Sequence, residues 1–387
     1  MYKSPIDDIK YAFNACLFKS NILKYDYYSD FSENDLLSIV KHAAKMCETV
    51  FAPLNRPGDE EGCRLAEGSV TTPSGFRAAF ERYRADGWSG LVADPVYGGQ
   101  GLPLVMQTIL DEMMASANLS LTSYPGLSLG AYHALAHHGT AAQKARYLPP
   151  LVAGRWTGTM CLTEPQCGSD LALLTTRATP LEGGRFALQG TKIFISAGDH
   201  DLSDNILHLV LARLPDAPPG IRGISLFLVP KFAMDAEGKI GDRNGVTTVA
   251  IEHKMGLRAS ATCQLSFEGA IGEMIGAPHQ GLKVMFSMMN VERLAVAMQG
   301  VGLAEISRQR AARYASERLQ GRSATSGSKA VPIAEHPDVK RMLMTQRAYV
   351  EGMRALTIAI GLKLDERLHD PDPALRKAAD DFVQFMT

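Results

Sequence analysis

The sequence predicts an α+β fold in three parts: an N-terminal helical domain (residues 1–154), a central antiparallel β-barrel domain (155–277) and a C-terminal helical-bundle domain (278–387). Two observations support this prediction. Before residue 154 and after residue 281, apolar residues recur every three to four positions, which is the period of an amphipathic helix. Between these parts, short runs of β-branched and apolar residues are separated by Gly, Pro and Asp, a pattern typical of a compact antiparallel β domain.

The composition is that of a globular protein. The chain has 387 residues, of which 46% are hydrophobic and 21% charged, and this length is enough for two or three domains. A formal charge of −1 gives no reason to expect nucleic acid or anionic lipid as a partner. The six cysteines form no C-x-x-C pair, and no apolar run is long enough to cross a membrane. We therefore expect a cytoplasmic protein without a metal site or a membrane span.

The helical pattern of the N-terminal part begins near Phe31. Ser32 is a suitable N-cap, because its hydroxyl can accept a hydrogen bond from a backbone N–H of the first turn. Turn-rich stretches at 53–73 and 94–101 interrupt the helices, and the helical pattern then resumes from Pro103 through Ala117.

The β part contains several short runs with strand character. The predicted strands are Trp156–Thr163, Arg185–Leu188, Lys192–Ser196, Ile206–Leu211, Ile224–Val229 and Thr262–Phe267.

The C-terminal part predicts one helix from Leu282 to about Leu319, a second from Pro337 to His369 and a third that begins at Pro373. A polar Gly/Ser segment at 321–332, predicted as a solvated loop, separates the first two. Because an antiparallel helix pair leaves an apolar face of each helix uncovered, we expect this helical bundle to be incomplete.

One motif in the β part has the character of a binding turn. CLTEPQCGSD (161–170) leaves a strand at Thr163 and turns through Glu164 and Pro165 to Gly168 and Ser169. Exposed backbone N–H groups and small residues at such a turn suit a pyrophosphate or the carbonyl edge of a flavin, because both need close approach of the backbone.

Over essentially its whole length, the sequence resembles the acyl-CoA dehydrogenase family. Together with CLTEPQCGSD, four further motifs carry the resemblance in the family's order: YGGQG (97–101), GTAAQKARYLPPLVAG (139–154), GTKIFISAG (190–198) and HKMGLRASATCQLSFEG (253–269). The segment before Phe31 and the Met-rich stretch 285–302 are similar to the longer bacterial members, which include 3-methylthiopropionyl-CoA dehydrogenases.

The resemblance implies an oxidoreductase of fatty-acid metabolism with FAD as cofactor, which introduces an α,β double bond into an acyl-CoA thioester to give the 2-enoyl-CoA. It also implies that electrons pass to an electron-transfer flavoprotein and that the protein is a homo-oligomer, either a dimer or a tetramer. By position in the motifs, the implied FAD contacts are Leu162 and Thr163 at the pyrimidine end, Gly168 and Ser169 at the pyrophosphate, Phe194 and Ser196 at the isoalloxazine, and Arg318 reaching the FAD of a neighbouring subunit.

For the substrate, the resemblance implies Ser169, Asn290 and Arg293. The Tyr-Glu-Gly-Thr type of motif that carries the catalytic base in most relatives does not occur in the chain. Some branches of the family hold the base directly before the arginine of the CoA site, and that position is Glu292.

Several alternatives remain at this stage. Phe194 could be a buried aromatic of the β core, and the hydroxyls of Thr163 and Ser196 could make only turn or strand hydrogen bonds. Arg293 and Arg318 could be surface residues, and Glu292 could make a contact along a long helix or point to solvent. The protein as a whole could be a truncated, catalytically impaired relative that binds FAD or CoA, or it could be an acyl-CoA oxidase.

Overall fold

The structure is a computed structural model that describes residues 2–17, 20–235, 238–322 and 329–386. Half of the predicted Gly/Ser loop, residues 323–328, lies outside the described residues. The α-helices are α1 (Ile6–Leu17), α2 (Glu33–Met46), α3 (Ala52–Glu61), α4 (Phe76–Ala85), α5 (Leu104–His138), α6 (Ala141–Val152), α7 (Gly281–Glu317), α8 (Pro337–His369) and α9 (Pro373–Met386).

By its internal contacts the chain divides into two compact units. Unit 1 comprises Met1–Pro53, Leu102–Leu119 and Leu294–Thr387. Unit 2 comprises Leu54–Gly101 and Ser120–Arg293. The three sequence domains stay a prediction, because these units group the chain in a different way.

The predicted N-cap of α2 is confirmed. The backbone N–H of Asp35 donates to the hydroxyl of Ser32 at 3.2 Å, and the backbone N–H of Ser32 donates to the Asp35 carboxylate at 2.9 Å. This reciprocal capping box satisfies two backbone donors at the start of the helix.

The predicted end of the helical run at Ala117 coincides with a kink in α5. Helix α5 continues to His138, with one non-helical residue, Asn118, at φ −159° and ψ 88°. The sequence did not predict the second helical segment, which resumes directly after the kink.

Buried ion pairs connect the helices within unit 1. Arg354 of α8 donates to Glu112 of α5 at 2.6 Å and to Glu305 of α7 at 3.1 Å, and all three side chains are at most 3% exposed. These contacts join helices that lie far apart in the sequence. In the described part of the chain, no helix combines the length and the apolar character needed to cross a membrane.

Unit 2 contains the strands, which are β1 (Arg64–Ala66), β2 (Ser69–Thr71), β3 (Trp156–Cys161), β4 (Arg177–Pro180), β5 (Arg185–Ser196), β6 (Asn205–Arg213), β7 (Ile224–Pro230), β8 (Phe232–Met234), β9 (Ile240–Arg243), β10 (Val246–Ile251) and β11 (Thr262–Ile275). Two runs predicted as separate strands, Arg185–Leu188 and Lys192–Ser196, are both part of β5.

The main sheet of unit 2 has seven strands among the described residues. Its order is β10-β11-β5-β4-β6-β3, and β7 pairs with both β11 and β6. The prediction of a purely antiparallel sheet is wrong, because β3 lies parallel to β6 and β4 is parallel to β6 at one residue pair. Parallel neighbours need a long crossover connection, and the segment between β3 and β6, which includes β4 and β5, provides it. Closure of the sheet into a barrel stays a prediction.

Candidate functional site

Two segments predicted to form a binding site lie side by side in unit 2. The carbonyl oxygen of Thr163, in the turn after β3, accepts a hydrogen bond from the backbone N–H of Ile193 in β5 at 2.9 Å. This contact joins the CLTEPQCGSD motif to the GTKIFISAG motif. We call residues 162–169 and 192–196 together the cradle.

Phe194 has an unusual backbone conformation within the cradle. Its φ is 59°, in the left-handed region that a bulky residue rarely adopts. In the pairing of β11 with β5, Cys263 lies opposite Ile195 and Leu265 lies opposite Lys192, so that β5 contains one extra residue there. This bulge turns the ring of Phe194 outwards, and 57% of the residue is exposed. The alternative of a buried core aromatic is therefore wrong.

The turn of the cradle is tight. The backbone N–H of Glu164 donates to the carbonyl of Cys167 at 2.8 Å, and the N–H of Cys167 donates back to the carbonyl of Glu164 at 3.0 Å. A Cβ atom at Gly168 would lie 3.3 Å from Cγ2 of Thr163, closer than an ordinary contact. Gly168 thus allows the backbone to pass close to Thr163. Ser169 and Ser196 are exposed on the same two segments.

A fully buried ion pair lies directly beside these backbone segments. Nζ of Lys192 donates to Oε1 of Glu164 at 2.8 Å and to the carbonyl of Leu162 at 3.0 Å, and the two side chains are 0% and 1% exposed. Burial alone would raise the pKa of Glu164, but the Lys192 ammonium and neighbouring hydroxyl and amide donors outweigh it and lower the pKa to about 2. Glu164 is therefore ionised at neutral pH.

The roles of Glu164 and Lys192 were missed at the level of sequence. Both residues stand inside the two motifs that were recognised, and they carry opposite charges. A lysine in an otherwise apolar strand segment was the available signal, because a buried lysine needs a partner. Sequence alone could not show that the two motifs are in contact.

Two of the three predicted substrate residues, Asn290 and Arg293, lie on α7, whereas Ser169 belongs to the cradle. Nη1 of Arg293 donates to Oδ1 of Asn290 at 3.0 Å, and the guanidinium lies 5.9 Å from the ring centroid of Phe286. Arg293 is exposed, and these two contacts restrain its orientation.

Glu292, the predicted base, occupies a different environment from Arg293. Its Oε1 atom is fully buried, and a Cβ atom at Gly130 of α5 would approach that oxygen to 2.9 Å and Cγ of Met288 to 2.7 Å. The absence of a side chain at Gly130 makes room for the carboxylate. The residue as a whole is half-buried, and its catalytic role stays a prediction.

Arg318 belongs to unit 1 and directly follows the last residue of α7. It is exposed, and its Nη2 donates to Oε1 of Gln320 at 3.4 Å. Its predicted role concerns the FAD of a neighbouring subunit and stays a prediction.

Three family models match consecutive parts of the chain. They describe the N-terminal domain of acyl-CoA dehydrogenase at residues 34–155, the middle domain at 159–270 and the C-terminal domain at 279–379. The chain belongs to the acyl-CoA dehydrogenase family.

Individual relatives agree with this family. The chain is 43% identical, over its whole length and 66% of the relative, to 3-methylmercaptopropionyl-CoA dehydrogenase of Ruegeria pomeroyi. It is 36% identical, over 99% of its length and 65% of the relative, to a butyryl-CoA dehydrogenase of Syntrophomonas wolfei. The chain thus spans about two thirds of the length of the curated relatives it matches.

The fold has a counterpart among solved structures. Butyryl-CoA dehydrogenase from Megasphaera elsdenii superimposes with a TM-score of 0.69 at 22% identity, and the match covers 92% of this chain and 89% of that one. This similarity shows a shared fold.

Members of the family are FAD-dependent flavoproteins, and the cradle has the properties such a group requires. Phe194 presents an exposed ring against which a planar heterocycle can pack. Ser169 and Ser196 provide exposed hydroxyls, and Gly168 keeps the backbone open to close approach. The residues present therefore fit FAD.

Proposed function

We propose that the protein is an FAD-dependent acyl-CoA dehydrogenase that converts an acyl-CoA thioester to the 2-enoyl-CoA. Membership of the family supports this proposal. The single structural observation that carries it is the cradle, in which the Thr163 carbonyl is bonded to Ile193 beside the exposed, left-handed Phe194. A strained residue next to a tight turn is a common property of binding sites.

When bound, FAD would supply the redox chemistry as the acceptor of a hydride from the β carbon of the acyl chain. Leu162 and Thr163 hold its pyrimidine end, Gly168 and Ser169 its pyrophosphate, and Phe194 and Ser196 the isoalloxazine ring. Arg318 contacts the FAD of a neighbouring subunit, which requires a homo-oligomer.

Substrate binding is proposed for Ser169, Asn290 and Arg293. The Arg293 guanidinium is held by Asn290 and Phe286 and stays exposed, so that it can bind a phosphate or carbonyl group of CoA. Because its orientation is already restrained, less side-chain entropy is lost on binding.

Glu292 is the proposed base that removes the α proton. Its Oε1 atom is fully buried, and exclusion of water from the site favours removal of the α proton. An electron-transfer flavoprotein is the proposed electron acceptor, in line with the family resemblance, and the cytoplasm is the proposed location.

Anaerobic titration of the FAD-loaded 387-residue chain with a panel of acyl-CoAs tests the proposal. We expect the visible flavin absorbance to bleach with at least one thioester, and Glu292→Gln to abolish bleaching. Glu268→Gln, a change at an exposed carboxylate of β11, is the matched control and should bleach as the wild type does.

Three outcomes separate the alternatives. A chain that stays colourless with excess FAD contradicts the flavin site, and a flavin that no thioester bleaches contradicts the dehydrogenase activity. Equal bleaching in Glu292→Gln and wild type shows that the base is another residue. Reoxidation of the reduced flavin by oxygen, with a stoichiometric yield of peroxide, identifies an oxidase.

A further inference from the structure

The buried Lys192–Glu164 ion pair connects three separate segments around the cradle. Lys192 belongs to β5, whereas Glu164 begins the turn after β3. The carboxylate of Glu164 also accepts hydrogen bonds from the backbone N–H groups of Thr175 at 2.8 Å and Thr176 at 3.0 Å, just before β4. One side chain thus receives donors from β5 and from the segment that leads into β4.

Hydroxyl and amide donors complete the shell of Glu164. Oγ1 of Thr175 donates at 2.8 Å, Oγ1 of Thr176 at 2.5 Å and Nε2 of Gln166 at 2.5 Å. Together with Lys192, these groups satisfy both carboxylate oxygens, which is the condition under which a buried charge is tolerated.

The same lysine also holds the backbone that is proposed to contact the flavin. Its ammonium bonds the Leu162 carbonyl, and the next residue, Ile193, bonds the Thr163 carbonyl. On the other side, Lys192 is the last residue paired with β11 before the bulge that contains Phe194. Lys192 therefore begins one half of the cradle, and its side chain is bonded to the other half.

Stability alone does not require an ion pair at this position. Burying two charges costs several kcal/mol of desolvation in general terms, and well-packed apolar residues often replace such a pair without loss of stability. The pair instead fixes the local geometry. The Lys192 ammonium lies between the Leu162 carbonyl oxygen and the Glu164 carboxylate and so fixes their relative positions.

We propose that Lys192, together with Glu164, is a positioning residue that holds the Leu162–Thr163 backbone at the distance from Phe194 and Ser196 that FAD binding requires. This inference rests on the proposed function. It adds that the affinity for FAD depends on the buried Lys192–Glu164 ion pair, which supports the Leu162–Thr163 backbone from the side away from the cofactor.

The double variant Lys192→Met with Glu164→Gln in the full chain tests the inference, because it removes both charges and keeps the side-chain lengths. We expect the apoprotein to fold and its dissociation constant for FAD, measured by flavin fluorescence, to rise at least about tenfold, the factor of one lost hydrogen bond to a charged group. We also expect the absorbance bands of the bound flavin to shift towards those of free FAD.

A matched control separates positioning from general stability. Glu112→Gln with Arg354→Met removes the equally buried ion pairs of Arg354 with Glu112 and Glu305 in unit 1. Urea denaturation of both apoproteins gives the loss in free energy of unfolding. We expect the control to keep the wild-type FAD affinity within about twofold, even if it loses more free energy of unfolding than the Lys192/Glu164 double variant does. The reason is that overall stability and the geometry of the cofactor site are separate quantities.

A milder variant covers the case in which the double variant does not fold. Thr176→Val removes one hydroxyl donor to Glu164 and keeps the side-chain shape, and we expect it to weaken FAD binding about threefold. Unchanged affinity in the double variant, or in Thr176→Val when the double variant does not fold, overturns the inference. Equal weakening in the Glu112/Arg354 control also overturns it. Wild-type protein that binds no FAD overturns the proposed function as well, so the two failures are distinguishable.

Discussion

At the scale of single residues, Phe194 shows how the site departs from ordinary strand geometry. The motif predicted Phe194 as a flavin contact, but it did not predict the left-handed φ of 59°. The bulge arises from the register of β5 against β11, which depends on residues some seventy positions away in the sequence. The sequence therefore predicted Phe194 as a site residue, whereas its strained backbone and its exposed ring became visible only in the folded structure.

Phe194→Gly should separate strain from binding. Glycine adopts positive φ without a Cβ penalty of about 1 kcal/mol, and only an exposed ring is lost, so we expect the free energy of unfolding of the apoprotein to stay equal or to rise by up to that amount. The FAD affinity should fall, because the ring surface is gone.

Urea denaturation and flavin fluorescence measure the two quantities in the same preparation. Phe194→Trp is the control and should retain the FAD affinity, since it keeps an aromatic face. A marked loss of apoprotein stability in Phe194→Gly would show that the ring packs into the sheet, contrary to its exposure.

At the scale of elements, the contact between α5 and α7 in unit 2 depends on one glycine. A Cβ atom at Gly130 would approach Cγ of Met288 to 2.7 Å and Oε1 of Glu292 to 2.9 Å. Nothing lies within 4 Å of the corresponding position at Gly126 in the same helix. The sequence shows two equivalent helical glycines, and only the packing distinguishes them.

Substitution by alanine should therefore have opposite effects at the two sites. Gly126→Ala should stabilise the protein by about 0.5–1 kcal/mol through helix propensity. Gly130→Ala should destabilise it by about 1–3 kcal/mol through overpacking and should displace the Glu292 carboxylate. Thermal unfolding of both variants is the measurement. Equal stabilisation by both changes would contradict the close approach of α7 to Gly130.

Among the elements, the helices were predicted more accurately than the strands. The predicted second C-terminal helix begins and ends where α8 does, at Pro337 and His369, since flanking turn residues mark both ends. Strands β4 and β10 were missed, because short and partly exposed runs lack a clear apolar pattern. The parallel pairing of β3 with β6 depends on a tertiary crossover that no local pattern contains.

At the scale of the whole molecule, two buried histidines link stability to pH. Burial, with a smaller contribution from the Lys231 ammonium, lowers the pKa of both His200 and His208 to about 3. In the unfolded chain both should titrate near the ordinary value of 6.5. Between these values the unfolded state binds more protons than the folded state, so that stability falls as the pH drops from about 6.5 towards 3.

Each histidine should contribute about 4 kcal/mol of this acid destabilisation over the full range. We expect His208→Phe to remove one proton from the uptake that accompanies unfolding and to flatten the pH dependence of the free energy of unfolding. Urea denaturation at a series of pH values measures it. His253→Gln, at an exposed position, is the control and should leave the slope unchanged. An unchanged slope in His208→Phe would show that His208 titrates normally in the folded protein.

The shell around Glu164 has a consequence for the order of folding. Its donors come from residues 166, 175, 176 and 192, so the carboxylate can lose its water only when the turn, the start of β4 and β5 have come together. Such non-local closure is slow compared with local helix formation. The ability to bind FAD should therefore arise late in folding, in the same step that brings the central strands into register.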